Sequence, residues 1–467
     1  MSSMTKLTSA PSTYEDWKVQ ALEKDRKTGA ERWKEQDSTR DFDFRIIRRR
    51  YDELVEIRTA GDVDRLIYFF NEGIHGNMGG MGSPALYKRA AFGTKNLIRD
   101  FTNELVAALN QIEALPSSTL KKQDKLDLFR RAGLCFGHSA LMLSGAGSLG
   151  PFHIGVVRTM FQEGILPRVI SGASAGSMVA AVVCTRTDEE LAELFASDQL
   201  NNLFGEMKGA ETGKRISQEN VRALIEALIP DMTFIEAFEK TGRYINVSVA
   251  AKEVMQRSRM LNSTTSPTAL IREAVLASCA IPGIFPPVTL AARNGNGEKC
   301  AYVPSRQWVD GSVTHDLPAH RLARQYGVNH FISSQANPMV LWALQEPDSD
   351  SLFQQFSSIY QSASREWLRA IYPSAMQVVK NIYPLNLMTR TWFNLITQEY
   401  TADINILPQQ KFYNPGMLLE QLSEEDTQKL VNEGEKATWP KVEQIRICTA
   451  VSRCLDDILM RLDGTIR

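Results

Sequence analysis

The stretch Arg168-Val-Ile-Ser-Gly-Ala-Ser-Ala-Gly-Ser-Met-Val-Ala-Ala-Val-Val-Cys184 decides how the chain is read. Its first four residues, Arg168 to Ser171, form a short apolar run of the kind found in a buried parallel strand, and Gly176 to Cys184 form a helix of small residues. Between them lies Gly172-Ala-Ser-Ala-Gly176, a G-x-S-x-G. The five-residue pattern is common by chance, but a strand directly before it and a helix directly after it make it a nucleophile elbow. There the sharp turn strains the serine and needs glycine on both flanks, and the Ser174 Oγ is held outward at a helix N-terminus.

Working outward, Ala140-Leu-Met-Leu143 is a second buried strand, and Gly145-Ala-Gly-Ser-Leu-Gly150 follows it and opens a helix from Phe152. The spacing is also that of a dinucleotide-binding G-x-G-x-x-G. That reading requires an acidic residue at the end of the next strand, about 20 residues further on. Here that strand ends in Ile170-Ser171 and enters the elbow, so the nucleotide reading fails. The alternative is an oxyanion hole, in which backbone N–H groups of Gly145, Ala146 and Gly147, with Ala175 as a further donor, face the developing negative charge of a tetrahedral intermediate.

A serine hydroxyl needs a base. The six histidines are poorly placed: His75 lies in a glycine-rich loop, His138 before the first strand, His153 in the first helix and His330 within a strand, while His315 and His320 follow Asp310 too closely for a conventional triad. Asp310, in Trp308-Val-Asp-Gly-Ser312, sits at the end of a predicted strand, Gln307 to Val309, and Gly311 lets the chain turn away. A carboxylate delivered there can act as the base directly, although Asp-Gly alone also makes an ordinary turn.

In this order, the glycine loop, a G-x-S-x-G whose serine follows Gly145 by 29 residues, and a distal Asp-Gly resemble the patatin-like phospholipase family. The segments Ala277-Ser-Cys-Ala-Ile-Pro-Gly-Ile-Phe-Pro-Pro287 and Asp310-Gly-Ser-Val-Thr-His-Asp-Leu-Pro318 are similar to that family's segments at and before the acid. The resemblance covers Ser139 to about Ile332. It implies a Ser174 and Asp310 dyad without a histidine, and an α/β fold with a doubly wound, mostly parallel sheet flanked by helices. Within the family, Thr185-Arg-Thr-Asp-Glu-Glu-Leu191 and Gly76-Asn-Met-Gly79 look like the triacylglycerol lipases with a helical N-terminal extension. The implied activity is release of fatty acids from neutral lipids. A phospholipase A or lysophospholipase, and an idle membrane-binding or partner-binding scaffold, remain open. Two departures stand out: Ala146 interrupts the glycine run, though it still offers an N–H, and no histidine is followed by aspartate at the spacing of the His-x4-Asp acyltransferase motif of some relatives.

The rest of the chain falls around this core. Residues 1–130 are read as a charged, mainly α-helical region broken by a loop at Gly73 to Pro84, residues 131–340 as the catalytic core, and residues 341–467 as helical segments packed on it. The basic run Arg48-Arg49-Arg50 is read as a solvated helix face. Helices are expected after the capping pattern at Ser423 and after Pro440; the aromatics of Leu352 to Leu407 are read first as core or docking residues, with a lid or a lipid-contacting element as the alternative. With 53 Lys plus Arg against 54 Asp plus Glu in 467 residues, no bulk charge draws the protein to nucleic acid. Cysteines are scattered, and Cys135, Cys184 and Cys279 sit in apolar runs typical of buried thiols. No metal or cofactor is expected, and no signal core or spanning segment is evident, so a cytoplasmic protein with peripheral contact at a lipid surface is the expectation.

Overall fold

A computed structural model describes residues 10–197, 199–205, 210–253, 258–311, 317–337, 402–409 and 419–463. The N-terminal helices are α1 (Tyr14–Thr28), α2 (Ala30–Glu35), α3 (Phe44–Ala60), α4 (Val63–Asn71), α5 (Asn96–Ala114) and α6 (Lys122–Phe136). Their boundaries follow local chemistry. Thr13 and Asp43 accept hydrogen bonds from first-turn N–H groups of α1 and α3, and Gly29 and Gly61 end those helices in the left-handed conformation. Between α4 and α5 the glycine-rich segment makes only short 3-10 turns at Met78–Gly80 and Pro84–Tyr87. The basic run on α3 is paired rather than simply solvated: Arg48 meets Asp37 at 2.6 Å, and Arg50 meets Glu72 at 2.7 Å while lying over the Phe69 ring.

Then come β1 (His138–Leu143), α7 (Pro151–Gln162), β2 (Val169–Gly172), α8 (Ala175–Cys184), α9 (Asp188–Ala196), α10 (Gln199–Gly205), α11 (Gln218–Leu228), α12 (Phe234–Thr241), β3 (Tyr244–Ala251), β4 (Arg259–Leu261) and α13 (Ile271–Ser278). A small hairpin of β5 (Ala291–Arg293) and β6 (Lys299–Ala301) precedes β7 (Trp308–Asp310), α14 (Ala319–Tyr326) and β8 (Val328–Ser334). The described C-terminal elements are β9 (Ile404–Ile406), α15 (Glu424–Thr438) and α16 (Val442–Asp463). As expected, α15 is capped by Ser423, which accepts from the Asp426 N–H.

Among the described residues the main sheet runs β4-β3-β2-β1-β8-β9, with β7 also paired to β3. The pairs β3-β2, β2-β1, β1-β8 and β8-β9 are parallel, and β4 and β7 are antiparallel additions to β3. Alternation along β1 shows why both faces are covered. Leu141 and Leu143 join the large core with α7, α8 and α13, and Ala140 and Met142 join a smaller cluster containing Leu322 of α14. This is the helix-flanked, mostly parallel α/β sheet expected from the sequence.

The aromatic stretch lies outside the described residues from Leu352 to Thr401. Two features depart from the expectations: beyond that stretch Ile404–Ile406 is a sheet strand, not a helix, and Cys135 is not buried. Cys135 is exposed on the outer side of α6, beside Leu134, while Cys184 and Cys279 are buried as expected. An apolar neighbourhood in sequence is not burial when the residue falls on the solvent side of an amphipathic helix.

The sheet core is joined to the helical layer by α15 and α16. Helix α15 crosses α7 at backbone contact, because both helices present glycine. A Cβ on Gly155 would lie 1.9 Å from the Val431 carbonyl oxygen, and one on Gly434 would lie 2.1 Å from the Phe152 carbonyl oxygen. Helix α16 begins in the sheet core with Val442 and Ile445 and ends in the N-terminal helical core with Val451, Leu455 and Ile458. Since neither backbone at the crossing can yield cheaply, Gly155→Ala should lower unfolding stability by about 3 kcal/mol, of the order seen for overpacked cores. Urea unfolding of the purified variant reads this, and a change below about 0.5 kcal/mol would show that the helices separate freely.

Candidate active site

Ser174 is the one non-glycine residue among those described with positive φ, at φ 49° and ψ −126°, between β2 and α8. The elbow is packed too tightly for larger flanks. A Cβ on Gly172 would sit 2.4 Å from the Gly176 carbonyl oxygen, and one on Gly176 would sit 2.5 Å from the carbonyl oxygens of both Leu143 and Ser144. The glycines that identified the motif therefore let α8 start directly against the end of β1. The Ser174 carbonyl accepts from the Ser177 hydroxyl at 2.6 Å, and its N–H donates to the Ser278 hydroxyl at 2.9 Å.

Register places Asp310 beside this elbow. Val247 pairs with Gly172 of β2 on one edge and with Leu261 of β4 on the other, and Val249 pairs with Arg259 of β4 and with Asp310 of β7. So β7 takes the edge of β3 that β2 vacates when the chain turns into the elbow. Because β7 runs antiparallel to β3, its last residue points back at the end of β2. Asp310 is 2% exposed. Gly311 permits the approach, since a Cβ there would lie 2.5 Å from the Ser248 carbonyl.

The buried Cys279 side chain is on the wall that Ser174 lines, near Ser174 and Ser177 and within the field of Asp310. Burial foremost, and then the Asp310 charge, push this thiol well up, so it stays protonated and is no competing nucleophile.

Opposite the elbow is the loop Gly145 to Gly150. It passes close to α8, a Cβ on Gly150 falling 3.0 Å from that of Ala175, and Gly147 takes φ 53°. Among the described residues no backbone acceptor takes up the N–H of Ala146, Gly147 or Ala175. Gly147, Ser148, Ser174 and Ala175 line one wall of a cavity whose remaining wall is mostly apolar, with Met178, Phe204, Ile216, Val221, Leu224 and Phe285. Among the described residues no histidine lines it. Leu419 to Leu422 closes it from the C-terminal side, where the Ser148 hydroxyl donates to the Glu420 carbonyl at 2.6 Å.

Sequence reading missed this last segment, which carries no local signal, and it quoted Ser278 and Cys279 without a role. The expected site residues Ser174, Asp310, Gly145, Ala146, Gly147, Gly150, Ala175, Gly172, Gly176 and Gly311 all fall at the C-terminal ends of β1, β2 and β7.

Comparison with known proteins is consistent with this geometry. Residues 141–323 match the model of the patatin-like phospholipase family, and residues 2–133 match a domain of unknown function (DUF3336). The chain is 31% identical to triacylglycerol lipase 4 of Saccharomyces cerevisiae, over 97% of this chain and 52% of that protein. It is 29% identical to triacylglycerol lipase SDP1L of Arabidopsis thaliana, over 97% and 57%, and 30% identical to triacylglycerol lipase ptl2 of Schizosaccharomyces pombe, over 99% and 78%. The chain thus spans little more than half the length of the first two relatives.

His153 has a structural place beneath the loop. It is fully buried, its Nε2–H donates to the Ser144 carbonyl at 3.0 Å, and its Nδ1 accepts from the Ser334 hydroxyl at 2.7 Å, so the neutral ring ties β1 to β8 where the loop begins. Burial pushes its pKa down to about 4. Because the folded value lies below the ordinary one, the stability this residue contributes is complete above about pH 6.5 and is lost as pH falls toward 4. That is about 3 kcal/mol. Melting temperature measured from pH 7 to 4.5 should fall less steeply for His153→Gln than for the wild type, and equal slopes would contradict the assignment.

Proposed function

The chain belongs to the patatin-like phospholipase family, and on that premise we propose that it is a serine lipid acyl hydrolase whose substrates are neutral lipids, triacylglycerol foremost. The observation that carries this is the strained Ser174 on the wall of an apolar cavity, with the buried Asp310 brought to the same end of the sheet by β7. In the proposed reaction the Ser174 Oγ attacks the ester carbonyl while Asp310 takes its proton. The N–H groups of Ala146, Gly147 and Ala175 stabilise the oxyanion. Collapse of the intermediate expels the alcohol, which receives the proton from Asp310 and leaves the acyl group on Ser174. Water, deprotonated by Asp310, then releases the fatty acid and restores Ser174.

The cavity suits an acyl chain, because an alkyl segment entering it exchanges water for apolar walls at about 25 cal/mol per Å². Its mouth supports contact with a lipid surface. Ile281 and Phe285 line the cavity, and Ile284 between them is 39% exposed. We place the protein in the cytoplasm, with this edge meeting a lipid surface peripherally. No helix among the described residues is long and apolar enough to cross a membrane. The relatives' names support triacylglycerol over phospholipid, and a defined panel of triacylglycerols, phospholipids and lysophospholipids, read as released fatty acid, tests that choice.

Ser174→Ala and Asp310→Asn should each lower hydrolysis of a p-nitrophenyl fatty ester by at least about a thousandfold. Near-normal activity of Ser174→Ala would end the mechanism. Ile284→Asp should reduce turnover of emulsified triolein several-fold while leaving hydrolysis of soluble p-nitrophenyl butyrate within twofold, and equal loss on both substrates would remove the surface role.

A further inference from the structure

The segment Ala277-Ser-Cys-Ala280 at the end of α13 carries three consecutive residues that each hold a different part of the candidate site. The Ser278 hydroxyl is fully buried. It accepts the Ser174 N–H at 2.9 Å, so its single proton is left for the Ser248 carbonyl on β3, 2.8 Å away. Both partners matter. Ser174 is the strained elbow residue, and Ser248 is the peptide against which Gly311 packs at the end of β7. Next in sequence, the Cys279 side chain lies near Ser174 and within the field of Asp310. Ala280 then accepts the Asp310 N–H at 2.9 Å. One short segment is therefore bonded to the elbow, to the strand beside the acid and to the acid's own backbone.

We infer that Ser278 is a positioning residue, setting the separation of Ser174 and Asp310 through its paired bonds to the Ser174 N–H and the Ser248 carbonyl. The inference rests on the Ser174 and Asp310 reading above. A hydroxyl is required because one group must accept and donate at once at a fully buried position. Alanine at this position leaves a buried N–H and a buried C=O without partners. The elbow then relaxes from its strained torsions, and a displacement of well under 1 Å between nucleophile and base is enough to slow proton transfer while the apolar cavity still admits substrate.

The test compares Ser278→Ala with Thr241→Val in the full chain. Thr241 also makes buried side-chain hydrogen bonds, to the Cys184 and Ala237 carbonyls, but it lies on α12 away from the cavity, so Thr241→Val reports loss of a buried hydroxyl without loss of positioning. For a p-nitrophenyl ester, Ser278→Ala should lower kcat tenfold to a hundredfold with KM within twofold. Thr241→Val should change melting temperature comparably and leave kcat within twofold. Ser278→Cys, which keeps a weak donor and acceptor, should recover part of the kcat, and it carries the comparison with wild type if Ser278→Ala does not fold.

A wild-type kcat in a folded Ser278 variant overturns the inference. So does an equal loss of kcat in Thr241→Val, which makes the effect one of stability. If Ser174→Ala is itself active, the dyad reading fails first. If Ser174→Ala and Asp310→Asn are inactive but Ser278→Ala is not, the positioning role alone falls.

Discussion

Holding Ser174 at φ 49° and ψ −126° costs about 1–3 kcal/mol, because an L side chain is crowded there. That conformation persists only because the surroundings leave the chain no other path. Gly176 lies against the Leu143 and Ser144 carbonyls, Gly172 lies against the Gly176 carbonyl, and α8 begins at once. The same confinement fixes the loop opposite. The carbonyls that Gly176 approaches end β1 and start the Gly145 loop, so elbow and loop share one wall. Loosening either would move both.

The acid is placed by a different device. Parallel strands deliver their ends to one edge, but β7 reaches that edge from the other direction, as an antiparallel strand three residues long using the space β2 leaves on β3. The two candidate catalytic residues thus come from the end of a parallel strand and the end of an antiparallel one, pointing toward each other. In the proposed reaction a base delivered this directly needs no histidine between it and the serine. The buried imidazole closest in sequence to the loop, His153, has both ring nitrogens engaged in fastening β1 to β8.

Much of this was legible because it is local. The strand, turn and helix around Ser174 lie within 17 residues, and the glycine loop and Asp310-Gly311 each announce themselves by residue type. The strand β1 was readable as a continuous apolar run, since it is buried on both faces, whereas β3 and β8 were found by their Ile, Val and Phe residues between polar ones. What escaped depends on distant pairing. β4 and β9 have three residues each and exist because β3 and β8 offer open edges. Leu419 to Leu422 closes the cavity because the Ser148 hydroxyl and the chain near Arg215 hold it there, and nothing in those residues names that destination. Cys135 misled for the converse reason, an apolar neighbourhood on the wrong side of a helix.

Helix α16 spans two cores, and this orders events in time as well as in space. The N-terminal helical core includes Val451, Leu455 and Ile458, which the ribosome supplies more than three hundred residues after α4. Helices α5 and α6, against which α16 packs, therefore lack that neighbour until more than three hundred further residues have been made. Closing so long a span precedes the contacts that reward it, which makes docking of α16 a late and slow step. Until α16 is made, the helical layer is an incomplete structure with apolar surface to shield, so one helix closes a core whose other members lie far before it in the chain.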